Sequence, residues 1–176
     1  MKKITFLACL LMSGLALAQE QENIPEAPQD IHKKQEVKIN TFSLLALKWI
    51  DISYERIINK ESSFGVSATF NTDAHDDASF KSSLTPYYRR YFSNELAKGF
   101  FIEAFGMFYS EEDGHPYDYY HKYSQSENFA MGISVGGKFV SKDGFTTELL
   151  LGAGRNFWGN GSEGVFRIGV SVGYRF

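Results

Sequence analysis

Between residues 164 and 176 the chain alternates without a break. Phe166, Ile168, Val170, Val172, Tyr174 and Phe176 fall on one side of an extended strand, and Arg167, Gly169, Ser171, Gly173 and Arg175 on the other. Successive side chains of a strand point to opposite faces, so one face is apolar and the other small or charged. At roughly 3.3 Å per residue and about 45° of tilt, such a run spans about 25 Å, the height of the apolar band of an outer-membrane barrel.

The same pattern recurs upstream. Eight strand-like segments bounded by turn residues follow Val37, at about 37–48, 49–59, 62–72, 79–93, 99–110, 127–140, 144–156 and 164–176. They predict an all-β fold, an eight-stranded antiparallel up-and-down transmembrane β-barrel. Helix competes only at Phe42 to Lys48, where Leu44, Leu45, Ala46 and Leu47 run together, and the flanking β-branched and aromatic residues favour a strand. One apolar face reads Ile50, Ile52 and Tyr54, then Phe64, Val66, Ala68 and Phe70, and in the sixth strand Phe129, Met131, Ile133, Val135 and Phe139. The opposite face is rich in glycine and serine, which a narrow barrel interior accommodates. A soluble, lipocalin-like secreted barrel would turn these faces round, but a water-facing surface carries about 25–35% charged residues and these strands carry fewer. Trp49, Tyr54, Tyr88, Phe92, Phe129, Phe145, Trp158, Phe166 and Tyr174 lie near strand ends, where aromatic girdles form at membrane interfaces.

The N-terminal residues fit export. Lys2 and Lys3 precede an apolar run to Leu15, and Ala16-Leu17-Ala18 gives the small-x-small pattern of a signal peptidase site, so residues 1–18 are expected to be removed. Residues 19–36, with Pro25 and Pro28 and many charges, read as a flexible periplasmic leader, and 37–176 as the barrel domain. Cleavage removes the single cysteine, Cys9, and leaves 16 basic against 21 acidic residues. Disulfide and thiol chemistry are excluded from such a mature chain, and no basic footprint points to nucleic acid.

Short connections follow the second and sixth strands, and long ones the third and fifth. Outer-membrane barrels have short periplasmic turns and long exterior loops, so both ends of the barrel are expected in the periplasm. The first exterior connection, near Lys48 to Asp51, is expected to be very short.

The inward positions carry Asp51, Glu55, Glu103 and Glu148 against Arg89, Lys138, Arg167 and Arg175. Charges inside a membrane are expensive unless paired, so a salt-bridged plug is expected, with a narrow channel for ions or small solutes as the alternative. Arg89 and Arg90 are adjacent, so one must face outward near an interface, and the register across 79–110 is open by one residue. A membrane-embedded lipid-modifying enzyme needs a nucleophile beside a base. The four histidines, His32, His75, His115 and His121, all lie off the strands. The chain is therefore expected not to be an enzyme, and no cofactor or metal site is assigned. The segment 111–123 is the richest connection, and His115, Tyr117, Tyr119, Tyr120 and Tyr123 form a candidate exterior contact loop, since tyrosine gives amphipathic contact area at low entropy cost.

With its signal segment, alternating strands and closing Tyr174-Arg175-Phe176, the chain resembles small OmpA-like and OmpX-like outer-membrane barrels. Lys38-Ile39-Asn40, Ile52-Ser53-Tyr54-Glu55-Arg56, Pro86-Tyr87-Tyr88-Arg89-Arg90-Tyr91-Phe92 and Gly99-Phe100-Phe101-Ile102-Glu103 are similar to a Gram-negative barrel family filed as a domain of unknown function. The resemblance implies the barrel fold and an outer-membrane site among lipid and lipopolysaccharide. It also implies Phe176 as the signal read by the barrel-assembly machinery, and it transfers no catalytic residue. A monomer with structural, adhesive or ligand-contacting loops is the expected role.

Overall fold

The computed structural model describes residues 32–72, 80–113 and 124–176. Eight strands form one closed sheet in chain order: β1 Gln35–Asn40, β2 Trp49–Ile57, β3 Ser62–Asn71, β4 Phe80–Tyr91, β5 Gly99–Asp113, β6 Ser124–Val140, β7 Phe145–Trp158 and β8 Gly164–Arg175. Each is antiparallel to its neighbours, and β1 closes on β8 from the pair Glu36–Arg175 to the pair Asn40–Ser171. This is the expected eight-stranded up-and-down barrel. The expected signal segment 1–18, most of the leader, and His75, His115, Tyr117, Tyr119, Tyr120, His121 and Tyr123 lie outside the described residues. The end where β1 starts and β8 finishes is called the base below, and the opposite end the rim.

The largest departure from expectation is at the first strand. The ladder stops at Asn40, and Ser43–Leu47 forms one π-helical turn where a strand was expected. Leu44-Leu45-Ala46-Leu47 is apolar at every position, so it cannot choose a buried face by two-residue alternation. Asn40 Oδ1 instead accepts from the Ser43 amide at 3.3 Å, a local bond that competes with strand pairing. Lys48, at φ 56, turns the chain into β2. The first rim connection thus runs over 41–48 and is not the very short one expected. At the other end, β1 begins at Gln35, so Glu36 belongs to the barrel wall and not to the leader.

Through 80–113 the register is fixed by the cross-strand pairs Arg89–Glu103 and Tyr87–Phe105, with an irregularity between Phe80 and Ser82. Arg89 points inward and is 2% exposed. Arg90 points outward beside the base, where its guanidinium meets Glu61 at 2.7 Å with both side chains exposed.

The outward face is a belt of exposed apolar side chains, among them Phe64, Leu84, Ile102, Ile133, Leu151 and Phe166. From Phe129 to Phe139 on β6, ten steps of about 3.4 Å tilted by about 45° give a height of about 24 Å. Aromatic pairs border it: Phe145 with Tyr174 and Phe92 with Phe100 toward the base, Phe108 with Phe129 toward the rim. Among the described residues, outward charges sit only at its edges, Arg56 and Arg90 by the base and Lys81, Glu127 and Arg155 by the rim. Trp49 does not join a girdle as expected. It shares the inward side with Asp51 and stacks on Phe80 at 4.5 Å.

Candidate functional site

Strand parity decides what fills the lumen. Inward positions of β6 and β7 include Gly132, Gly136 and Gly152, and the cross-strand partners of the first two are Phe105 and Phe101. A Cβ built on Gly132 would lie 2.5 Å from the Phe105 ring, one on Gly136 2.4 Å from the Phe101 ring, and one on Gly65 2.5 Å from the Tyr87 ring. Each glycine is thus the floor on which a neighbouring strand's ring lies flat.

The rings carry the cations. The Arg89 guanidinium lies 4.4 Å from the centroids of both Tyr87 and Phe101, Arg167 lies 4.9 Å from Phe105, and Lys138 lies 5.1 Å from Tyr91. Cation–π contact of this kind strengthens when water is absent.

Carboxylates complete the layer, and Glu55 is its hub. Its Oε1 accepts from Lys138 Nζ at 2.6 Å, Tyr91 Oη at 2.7 Å and Ser63 Oγ at 2.7 Å, and its Oε2 accepts from Lys38 Nζ at 2.6 Å and Arg89 Nη1 at 2.8 Å. Glu148 accepts two bonds from Arg89 on separate oxygens, at 2.6 and 2.8 Å, and one from Lys38 at 2.7 Å. Glu103 takes Arg89 Nε at 2.7 Å, Ser134 Oγ at 3.0 Å and Arg167 Nη1. Glu36 joins Lys138 at 2.9 Å to Arg175 at 2.6 Å. A bidentate, charge-assisted network with its lone pairs filled is the condition under which buried ions are tolerated.

Of the eight lumen charges expected from sequence, Glu55, Arg89, Glu103, Lys138, Glu148, Arg167 and Arg175 meet in this network. Asp51 stands apart toward the rim, accepting from Asn40 Nδ2 at 3.0 Å and from Ser67 Oγ. The sequence reading missed Glu36 and Lys38, although Glu36, Lys38 and Asn40 alternate with Val37 and Ile39 on the rule that placed β8.

The base is corked as well. The β4–β5 connection folds inward so that Leu96 and Ala97 are buried against Ile57, Tyr91 and Phe101. Arg175 donates to the Leu96 and Ala97 carbonyls at 2.8 and 2.9 Å, tying the cork to β8.

Above the plug the lumen opens at the rim as a vestibule of about 210 Å³. Its lining includes Trp49, Asp51, Ser83, Tyr109, Glu111 and Arg167.

Residues 5–163 match a family described as a protein of unknown function (DUF3575). The chain belongs to this family. No curated protein matches it.

In this DUF3575 barrel the arrangement of side chains is suited to closing the lumen. Every cation of the plug is engaged by carboxylate, and Glu55 and Arg89 at its centre are both buried. No group of three or more His, Cys, Asp or Glu is gathered to hold a metal ion among the described residues.

Proposed function

We propose that this chain is a non-conducting outer-membrane barrel of the small OmpA/OmpX kind, non-enzymatic and monomeric. It would serve as a sealed anchor that holds its rim, with the 114–123 connection, at the cell exterior for structural or adhesive contact. The observation that carries this reading is the belt. Apolar side chains ring a closed barrel over about 24 Å, and among the described residues the outward charges sit at the belt's edges while an ion-paired set is buried inside. In water that distribution is unfavourable at about 25 cal/mol per Å² of apolar surface, and in a bilayer it is the stable one. The plug supports the sealed character, because an eight-stranded interior is only just filled by side chains and here it is filled by ion pairs and rings.

The test is to express the full chain with its N-terminal segment in a Gram-negative host and separate the membranes. The expected result is a carbonate-resistant band in the outer-membrane fraction that migrates faster unboiled than boiled, and no single-channel conductance in planar bilayers. A soluble periplasmic protein would overturn the membrane reading, and steady conductance would overturn the seal.

A further inference from the structure

One stretch of the outward face is hollow. Across it runs a row of laterally paired residues, Phe100 on β5, Gly137 on β6, Leu149 on β7 and Val170 on β8. Thr41, where β1 has ended, extends the row by donating its hydroxyl to the Val170 carbonyl at 2.7 Å. These five residues line a trough of about 870 Å³. Among the described residues its lining is apolar apart from Thr41. A Cβ built on Gly137 meets no atom within 4 Å, so the floor is open between Phe100 and Leu149. Gly136 and Gly169, whose parity is inward, also line the trough, so the floor reaches the backbone of the sheet.

The π-helical turn bounds the rim-side end. Phe42, Leu45 and Ala46 line the trough, and Leu45 is 82% exposed although apolar. Leu47, at the end of the same turn, lines the vestibule instead. The apolar run thus serves both sides of the wall. From Phe100 to Thr41 the row crosses four strand spacings of about 4.8 Å, about 19 Å in all. Because the strands of such a barrel tilt by about 45°, a row across them climbs at about the same angle. It rises about 14 Å from Phe100, close to half of a hydrocarbon core roughly 30 Å thick. That is the depth of one leaflet's acyl chains.

We propose that the trough holds one acyl chain of a diacyl lipid from the leaflet nearest the base, its end stopped by the 41–48 turn. This rests on the membrane reading and adds to it one lipid held at a fixed place on the belt. Lipid tails are as apolar as leucine, so hydrophobic transfer gives the trough no preference over the rest of the belt. Packing does. A chain lying on a ridge of Phe and Ile side chains is touched from one side, whereas in the trough it is touched by the floor and both walls, and every carbon contact adds to the attraction. The apolar lining suits the chain and offers nothing to a headgroup, which stays at the base-side border.

The experiment expresses the full chain in a Gram-negative host, extracts the outer-membrane fraction in a mild detergent, washes away the surrounding lipid and weighs the folded protein by native mass spectrometry. The expected result is a monomer carrying one diacyl lipid. Gly137→Phe fills the floor, and the loss of about ten carbon–carbon contacts weakens binding about tenfold, so the ratio of lipid-bound to lipid-free protein should fall by at least that factor. Leu45→Ala, in the turn and outside every ladder, should lower it severalfold. Ile133→Phe, on the outward face of β6 beyond the trough, should leave it unchanged. The heat-modifiable band checks that each variant is folded, and if Gly137→Phe does not fold, Leu45→Ala carries the test. Outer-membrane protein with no adduct, with detergent or a free fatty acid alone, with an adduct unmoved in the folded variants, or as a lipid-free dimer would overturn the trough assignment and leave the membrane reading standing. A soluble chain would overturn both.

Discussion

Lys38 on β1 and Glu148 on β7 meet at 2.7 Å over β8, the strand that lies between them, although 110 positions separate them along the chain. The pair is 1% and 3% exposed and shares its acceptor oxygen with Arg89. The plug is therefore a product of the closed barrel, since no stretch of consecutive residues contains it.

Removing the hub should cost more than removing any outer bond. Glu55→Gln leaves Lys38, Arg89 and Lys138 without their common carboxylate, and breaking a buried ion pair from one side costs about 3–5 kcal/mol. Urea unfolding in lipid vesicles should show a loss of that size. A change under about 1 kcal/mol would mean that the network is solvated.

The exposed pair Arg90–Glu61 gives the opposite expectation. Both side chains are more than half exposed, and such pairs contribute about 0–1 kcal/mol. Arg90→Ala should leave the unfolding midpoint within that range.

Conductance should appear only when both obstructions are removed. Arg175→Ala releases the Leu96–Ala97 cork but leaves Arg89 in place, and Arg89→Ala does the reverse. Each single variant should remain silent in planar bilayers and the double variant should conduct. A conducting single variant would show that the other obstruction does not seal.

The belt predicts a dependence on depth. Arginine at a barrel's lipid face costs about 2–4 kcal/mol at the midplane and about 0–1 near the interface. Ile133→Arg, at mid-belt on β6, should be the costly substitution and Phe129→Arg, beside the rim, the mild one. Equal and small effects would place the belt in water.

The inward glycines should tolerate no bulk. Gly136→Val drives a side chain into the Phe101 ring and the Leu149 carbonyl, which a Cβ alone would approach at 2.4 Å. Overpacking costs about 1–3 kcal/mol, and the folded fraction after refolding should fall accordingly. Gly137→Val, on the outward side where nothing lies within 4 Å, is the matched control.

Two-residue alternation made the wall legible from sequence. It sorted Phe166 from Arg167 and Met131 from Gly132 correctly because each choice is local. The π-helical turn at Ser43–Leu47 was not legible, since four consecutive apolar residues state no period. Trp49 was misplaced because a tryptophan at a strand end satisfies a girdle or a vestibule wall equally, and the stack on Phe80 that decides it comes from β4. The Leu96–Ala97 cork was invisible for a similar reason. Its turn is held inward by Arg175, some 78 positions away. Glu36 and Lys38 carried the alternation signal and were missed because the strand is only six residues long.

The shortness of β1 has a consequence for how the molecule comes together. Only five cross-strand pairs join β1 to β8, against fifteen between β5 and β6, yet β1 delivers Glu36 and Lys38. Until that seam shuts, the interior is an open trough whose carboxylates and guanidiniums are hydrated separately. Shutting it expels the water and sharpens every attraction at one stroke, so a ladder of five pairs, no longer than the one that joins β1 to β2, becomes the latch of the whole cylinder.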